Sequence, residues 1–112
     1  MKLLPSLRQK KRYIVFEVIS DKKFSKSDVE KNVQRALTDF LGQLGTAKAA
    51  PMFIGEKFNQ AAQRFILKIN HKHIDEVKAA LTLIKKIKNT PVIIKSLLVT
   101  GTIKKANEII TA

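Results

Sequence analysis

Apolar residues recur along this chain at two periods, one typical of strands and the other of helices. One stretch starts with cations and continues as a strand over residues 13–19, in which Glu17 is the charged exception. Its β-branched and aromatic side chains fit a pleated, half-buried surface. A strand that is apolar on both faces is usually central in its sheet. We therefore expect a central strand that places Lys10, Lys11 and Arg12 at one rim of the sheet.

A helix follows this strand, and capping residues mark its ends. Ser25 and Asp28 have the spacing of a capping box, and an apolar stripe at helical spacing runs as far as Leu44. Gly42 or Gly45 is expected to end the helix. Gly45 is the better stop of the two, because glycine readily adopts the left-handed conformation of a C-terminal cap.

Three further strands are predicted. The segment 46–54 contains Pro51, which favours an edge strand. The segment 64–70 alternates cleanly between polar and apolar residues, and the segment 92–99 is apolar with one internal lysine.

A second helix is predicted between the last two strands, beginning at Asn70 or His71. Its last turn is expected to hold Lys85, Lys86 and Lys88, where the helix dipole favours cations.

The order β-α-β-β-α-β plus a final helix predicts an α+β fold, the ferredoxin-like or RNA-recognition-motif-like sandwich. Such a fold carries both long helices on one face of a four-stranded antiparallel sheet. We treat residues 1–112 as one domain, because this length suffices for one core. Residues 1–11 form a basic N-terminal arm in this prediction, and residues 103–112 form the C-terminal helix.

The second face of the sheet is left open in this prediction. Its outward positions are aliphatic, and an exposed patch of that kind is typical of a protein interface. The predicted interface residues are Val15, Ile19, Ile66, Ile93 and Leu97.

Positive charge is concentrated at the two ends of the sequence. The chain has 22 Lys and Arg against 9 Asp and Glu, a net charge of +13, and the segments 1–12 and 85–112 carry +10 of it. A surplus of this size repels itself unless a polyanion neutralises it. Nucleic acid is therefore the leading partner, and an anionic membrane surface is the alternative.

The cellular compartment is predicted from what the sequence lacks. No apolar run approaches the roughly 20 residues that span a bilayer, and Pro5 and Arg8 interrupt the segment where a signal peptide would be apolar. The absence of cysteine excludes disulfides, thiolate chemistry and Cys-based zinc sites. We expect a cytoplasmic protein without a membrane partner.

No set of side chains indicates an active site. The sequence shows no nucleophile with its base and no Gly-rich phosphate loop. His71 and His73 diverge at a helix start without a third ligand nearby, so we expect no metal site. Glu17 is either a partly buried ion-pair partner of Lys68 or Lys95, or a polar contact to a partner.

Recognition of RNA by base stacking is not indicated either. An RNA recognition motif stacks bases on aromatic side chains of its two central strands. Here the first strand offers Tyr13, and the single aromatic of the third strand, Phe65, is expected to face the core. RNA contact should then rest on phosphates and shape.

Four segments in sequence order carry a family resemblance: Leu7–Ser20, Leu44–Ala49, His71–Ile84 and Val92–Lys105. They resemble archaeal ribonuclease P protein component 2, whose eukaryotic relative is a small subunit shared by ribonucleases P and MRP. The resemblance covers nearly the whole chain.

The resemblance implies a noncatalytic subunit of an endoribonuclease, one that helps a catalytic RNA remove the 5′ leader from precursor tRNA. Magnesium ions bound by the RNA supply the chemistry, so no cofactor is expected on this chain. The family works with a barrel-shaped protein, component 3, in a heterotetramer with two copies of each, and with the other holoenzyme subunits. The implied RNA-binding residues are Arg8, Lys10, Lys11, Arg12, Tyr13, Lys104 and Lys105.

Other functions remain open for a chain of this fold. A ribosomal or ribonucleoprotein-assembly protein is the main alternative. An acyl phosphate hydrolase would need a positioned Arg and Asn after the first strand, and Ser20–Ser25 offers lysines but neither of those. A pure protein adaptor would not account for the segregated positive charge.

Overall fold

The computed structural model describes residues 10–111, in which the elements follow the order strand, helix, two strands, helix, three strands, helix. They are β1 (Lys11–Ile19), α1 (Lys26–Ala49), β2 (Met52–Phe53), β3 (Arg64–Asn70), α2 (Ile74–Thr82), β4 (Lys86–Ile87), β5 (Thr90–Pro91), β6 (Ile93–Thr100) and α3 (Ile103–Ile110). Short 3₁₀ helices at Gly55–Lys57 and His71–His73 complete the connections around β3. Within residues 10–111, no helix is both long enough and apolar enough to cross a membrane.

The main sheet has four antiparallel strands in the order β2-β3-β1-β6, and β4 and β5 form a separate hairpin. The predicted central position of β1 and edge position of β2 are both confirmed. β1 pairs with β3 on one side and with β6 on the other, so its backbone hydrogen bonds are satisfied along both edges. The α+β class with a four-stranded antiparallel sheet is therefore confirmed.

The main core lies between the sheet and the pair α1 and α2. Phe16 of β1 and Phe65 of β3 are cross-strand partners whose rings stack at 5.3 Å, and Phe53 of β2 stacks on Phe65 at the same distance. Both long helices present buried aliphatic residues to this aromatic row. Truncating a buried Phe of this kind costs about 3–5 kcal/mol, so the row anchors the three strands to one another.

The opposite face of the sheet is not open, and on this point the sequence prediction is wrong. Helix α3 packs across it, and a second core forms from Val15, Ile66, Ala106 and Ile110, with Val15 and Ile66 at 0% exposure. The assignment of Val15 and Ile66 to the face opposite α1 and α2 is correct. Their proposed exposure to a protein partner is not, because α3 occupies that position.

A β-bulge in β6 changes the orientation of its later residues. Val15 pairs with Leu98 whereas Phe16 pairs with Ser96, so Leu97 is the extra residue of the bulge. Both Leu97 and Leu98 consequently contribute to the α3 core, where they are partly buried. Leu97 therefore belongs to the interior more than to the predicted interface.

The boundaries of α1 also differ from the prediction. The helix begins after its Ser25 cap as expected, and it is interrupted at Gly42, where φ is 72° and ψ is 174°. Helical structure then resumes and reaches Ala49, so the predicted strand over 46–54 is reduced to the two residues of β2. Glycine acts here as a kink within the helix, because it tolerates a positive φ that other residues avoid.

The lysines predicted to end α2 lie instead in or next to the β4–β5 hairpin. Helix α2 stops at Thr82, and the hairpin turns at Lys88 and Asn89, whose φ angles are 50° and 64°. Positive φ at both central residues is the conformation that two-residue hairpin turns require. Ile87 is buried in the main core, and its burial ties the hairpin to the domain.

An ion pair joins this hairpin to the start of α1 and predicts a small pH dependence of stability. Lys88 Nζ lies 2.9 Å from Asp28 Oδ2, and its hydrogen bond lowers the pKa of the Asp28 carboxyl. A lowered pKa adds stability above the unfolded-state pKa, and that stability is lost as pH falls through the folded-state pKa. Lys88→Met should thus lose a small amount of stability at neutral pH and match the unaltered chain in strong acid.

The measurement is urea unfolding at several pH values. Lys85→Met is the matched control, because Lys85 forms no ion pair within residues 10–111. An equal deficit of Lys88→Met at neutral and at strongly acidic pH would count against a role for the ion pair.

Candidate nucleic-acid interface

Antiparallel pairing gathers one end of each long strand and the start of α3 at a single rim of the sheet. Lys11 at the start of β1 pairs with Asn70 at the end of β3, and Tyr13 pairs with Thr100 at the end of β6. The backbone N–H of His71 donates to Lys10 O at 2.9 Å, which extends the pairing by one residue. We call the cations at this end the basic rim: Lys10, Lys11, Arg12, Lys68, Lys72, Lys104 and Lys105.

No cation of the basic rim forms an ion pair within residues 10–111. The ion pairs of that region join Glu17 to Arg64, Glu76 to His73 and Asp28 to Lys88, and none involves a cation of the basic rim. Neighbouring cations that form no ion pairs create a positive potential that attracts anions.

Arg12 connects the start of β1 to the turn between β6 and α3. Its Nη1 donates to Lys11 O at 3.1 Å, and a Cβ placed on Gly101 would lie 3.6 Å from the same nitrogen. The guanidinium therefore rests against the backbone of Gly101, three residues before Lys104. The structure thus brings together the two groups of cations that the sequence placed at opposite ends of the chain.

Helix α3 begins at the basic rim with an arrangement of charge that its dipole disfavours. Thr102 caps the helix by accepting a hydrogen bond from the backbone N–H of Lys105 at 3.4 Å. Lys104 and Lys105 are exposed in the first turn, where acidic residues stabilise a helix and cations destabilise it by about 0.3–1 kcal/mol. A bound anion at this position would reverse that penalty.

Tyr13 lies at the edge of the basic rim without presenting a free aromatic surface. Its ring is half-buried against the α3 core, and Lys68 Nζ lies 5.9 Å from the ring centroid. This contact is at the limit of a cation–π interaction. Tyr13 therefore lies beside Lys68 of the basic rim.

The remaining predicted site residues lie either outside the described residues or away from the basic rim. Arg8 and the rest of the arm before Lys10 lie outside the described residues. Ile19 and Ile93 are cross-strand partners at the opposite end of the sheet from the basic rim, and they are 44% and 65% exposed. Of the five predicted interface residues, these two remain accessible.

Two cations of the basic rim were missed from the sequence. Lys68 and Lys72 lie in the middle of the chain, where acidic and basic residues nearly balance. The alternation in β3 placed Lys68 outward, but only its pairing opposite Tyr13 shows that it joins the N-terminal cations. That pairing joins residues 55 positions apart in the chain, so local composition carries no signal for it.

Glu17 forms an ion pair, as one of its two predicted roles required, but with a different partner. Arg64 Nε donates to Glu17 Oε2 at 3.0 Å. Arg64 and Lys95 are the cross-strand neighbours of Glu17 on its two sides, and Arg64 makes the contact.

The two histidines serve different partners. His71 Nδ1 lies 3.1 Å from Lys10 O, and His73 Nδ1 lies 3.4 Å from Glu76 Oε2. Across residues 10–111, His, Asp and Glu side chains form no group of three that could hold a metal ion. That the chain itself binds no metal stays a prediction.

Known proteins resemble this chain over nearly all of the residues described above. The model of the Rpp14/Pop5 family matches residues 12–111. The chain belongs to this family. The match includes five of the seven cations of the basic rim, all except Lys10 and Lys11, and the whole of α3.

Curated relatives extend the similarity over most of the chain. Ribonuclease P protein component 2 of Thermococcus kodakarensis is 43% identical over 103 residues, which cover 92% of this chain and 84% of that protein. The protein of the same name from Pyrococcus furiosus is 44% identical with the same coverage. That of Methanocaldococcus jannaschii is 38% identical over 93% of this chain and 75% of its own length.

A solved structure is similar in fold to this chain. A chain of the cryo-EM structure of yeast ribonuclease MRP superimposes with a TM-score of 0.65 at 11% identity, covering 85% of this chain and 76% of that chain. Identity this low speaks for the fold alone.

Proposed function

We propose that this chain is a noncatalytic protein subunit of ribonuclease P that binds the catalytic RNA and supports removal of the 5′ leader from precursor tRNA. The observation that carries the proposal is the 38–44% identity to three proteins named ribonuclease P protein component 2, over at least 92% of this chain. A cytoplasmic location and a ferredoxin-like classification of the fold belong to the same proposal.

The basic rim is the proposed contact with RNA. Its cations lie at the start of β1, in and just after β3, and in the first turn of α3, and these elements pack against one another. Phosphate contacts of this kind supply affinity and orientation without reading sequence. The partly buried ring of Tyr13 fits this role, since base stacking needs exposed aromatic faces.

The chemistry is assigned to magnesium ions held by the RNA. The two histidines are engaged with Lys10 and Glu76, and the pair does not converge on a common point. The contribution of this chain is then to stabilise the folded RNA and its complex with precursor tRNA through charge neutralisation.

A protein partner belongs to the proposal as well. We assign Ile19 and Ile93 to the contact with the barrel-shaped component 3, in a heterotetramer with two copies of each and with the other holoenzyme subunits around it. The two side chains are adjacent, aliphatic and exposed, and they lie away from the basic rim. Contact with protein and contact with RNA would then use opposite ends of the sheet.

Reconstituted cleavage of precursor tRNA tests this function. The purified chain alone, with magnesium, is expected to leave the substrate intact. Added to ribonuclease P RNA and the other protein subunits, it should lower the magnesium concentration needed for 5′ cleavage, because its cations neutralise phosphates. Specific cleavage by the RNA-free chain, or an unchanged magnesium requirement with and without it, would refute the proposal.

A further inference from the structure

The C-terminal end of α3 is held by side chains from a distant part of the chain. Asn59 Nδ2 donates to Ile110 O at 2.7 Å, and Arg64 Nη1 donates to Ile109 O at 2.7 Å. The last carbonyls of a helix have no partner within the helix, so they need hydrogen-bond donors from elsewhere. A guanidinium also complements the negative end of the helix dipole.

The two holding residues are themselves fixed by the sheet. The backbones of Asn59 and Arg64 form a bridge with N···O distances of 2.9 and 3.1 Å. Asn59 Oδ1 accepts from the N–H of Ala62 at 3.1 Å, and Arg64 Nε donates to Glu17 on β1 at 3.0 Å. The side chains that receive α3 are therefore also held by contacts that do not involve α3. Such contacts lower the entropy cost of docking.

The other end of the same helix carries two cations of the basic rim. A helix of eight residues is about 12 Å long and behaves as a short rod. Its underside rests on the sheet through Ala106 and Ile110. Fixing the C-terminal end therefore also fixes the direction in which the first turn, with Lys104 and Lys105, meets the RNA.

We infer that Asn59 and Arg64 are positioning residues for RNA binding: they hold the C-terminal end of α3 on the sheet so that Lys104 and Lys105 stay beside Arg12. This inference rests on the proposed function, because it assumes that the basic rim contacts RNA. Neither residue belongs to the basic rim. Asn59 carries no charge, so its effect on affinity cannot come from the loss of a phosphate contact by a cation.

A double-mutant cycle on the full chain separates positioning from general stability. Affinity for the ribonuclease P RNA of the same organism is measured for Asn59→Ala, for Lys104→Ala with Lys105→Ala, and for the triple variant. Asn59→Ala should weaken binding roughly three- to tenfold when both lysines are present and have little effect when they are absent. Arg64→Gln takes the place of Asn59→Ala in a second cycle of the same design, and Arg35→Gln is the control for the lost positive charge.

Asn32→Ala is the matched control for Asn59→Ala. Asn32 Nδ2 also donates to a backbone carbonyl, that of Asp28 at 2.8 Å, but within α1 on the other side of the sheet. It should leave RNA affinity unchanged. Amide hydrogen exchange in α3 provides an independent readout, and it should accelerate in Asn59→Ala while exchange in β3 stays slow.

Each outcome is decisive. Equal losses of affinity from Asn59→Ala with and without the two lysines would overturn the positioning role, as would faster exchange in α3 at unchanged affinity. No effect of the two lysine substitutions would overturn it as well. If the unaltered chain itself fails to bind the RNA, the proposed function fails, and that result differs from all the others.

Discussion

Replacing Ile66 by aspartate is expected to prevent α3 from docking and to unfold much of the domain. Ile66 is fully buried between the strand face and α3, beside Val15 on the adjacent strand. A carboxylate there must lose its hydration without a compensating cation, or must be protonated at a cost. We expect a loss of at least about 3–5 kcal/mol, a large part of the roughly 5–15 kcal/mol that stabilises a typical domain.

Ile93→Asp is the matched control for this prediction. Ile93 lies on the same face of the same sheet and undergoes the same chemical change, but it is 65% exposed. Its unfolding free energy should change by only about 0.5 kcal/mol, as for other surface substitutions. Urea unfolding followed by far-UV circular dichroism measures both variants. If Ile66→Asp were as stable as Ile93→Asp, the second core under α3 would not exist in solution.

The strands of the main sheet could be predicted from the sequence because their signal is local. In β3 the alternation of Phe65, Leu67 and Ile69 with polar residues is visible within seven positions, and the predicted bounds 64–70 are those observed. In β1 the absence of a polar face pointed to a central strand buried on both sides, and the structure buries both. Side-chain periodicity is set by the strand itself, whatever packs against it.

The location of α3 could not be predicted in the same way. Ala106 and Ile110 form an apolar stripe, but the stripe alone does not identify the surface against which the helix packs. One clue was available: a sheet face as apolar as that of Val15 and Ile66 needs a cover, and α3 was the remaining helix without an assigned position. The sequence prediction supplied a protein partner for this role when the chain itself provides one.

The sequence predicted only part of the basic rim, because local patterns do not show how the strands pair. Charge segregation pointed to the two end segments of the chain, and the family resemblance implied Lys10, Lys11 and Arg12 and the pair in α3. Charge segregation also counted Lys85, Lys86 and Lys88 of the C-terminal segment, although the hairpin precedes β6 at the end of the sheet opposite the basic rim. Net charge per segment does not distinguish the two ends of a strand, because that distinction depends on strand direction and pairing.

The second prediction with a large expected effect concerns RNA affinity, and it tests the end of the sheet at which β1 begins. Replacing Lys10, Lys11 and Arg12 together by glutamine should weaken binding to ribonuclease P RNA roughly ten- to hundredfold near physiological salt. It should also lower the slope of log affinity against log salt by about 2, since each lost phosphate contact removes about 0.7–0.9. Glutamine is preferable to alanine at position 12, because it keeps much of the stem that Arg12 packs on Gly101.

The control removes the same net charge from elsewhere on the surface. Lys22, Lys23 and Lys31 are exposed, and none belongs to the basic rim or forms an ion pair within residues 10–111. Their replacement by glutamine should reduce long-range attraction slightly and leave the salt slope nearly unchanged, because no phosphate contact is lost. Equal losses in the two triple variants would mean that total charge, and not the basic rim, governs binding. A loss confined to the variant of the basic rim would locate the RNA at the end of the sheet where β1 begins.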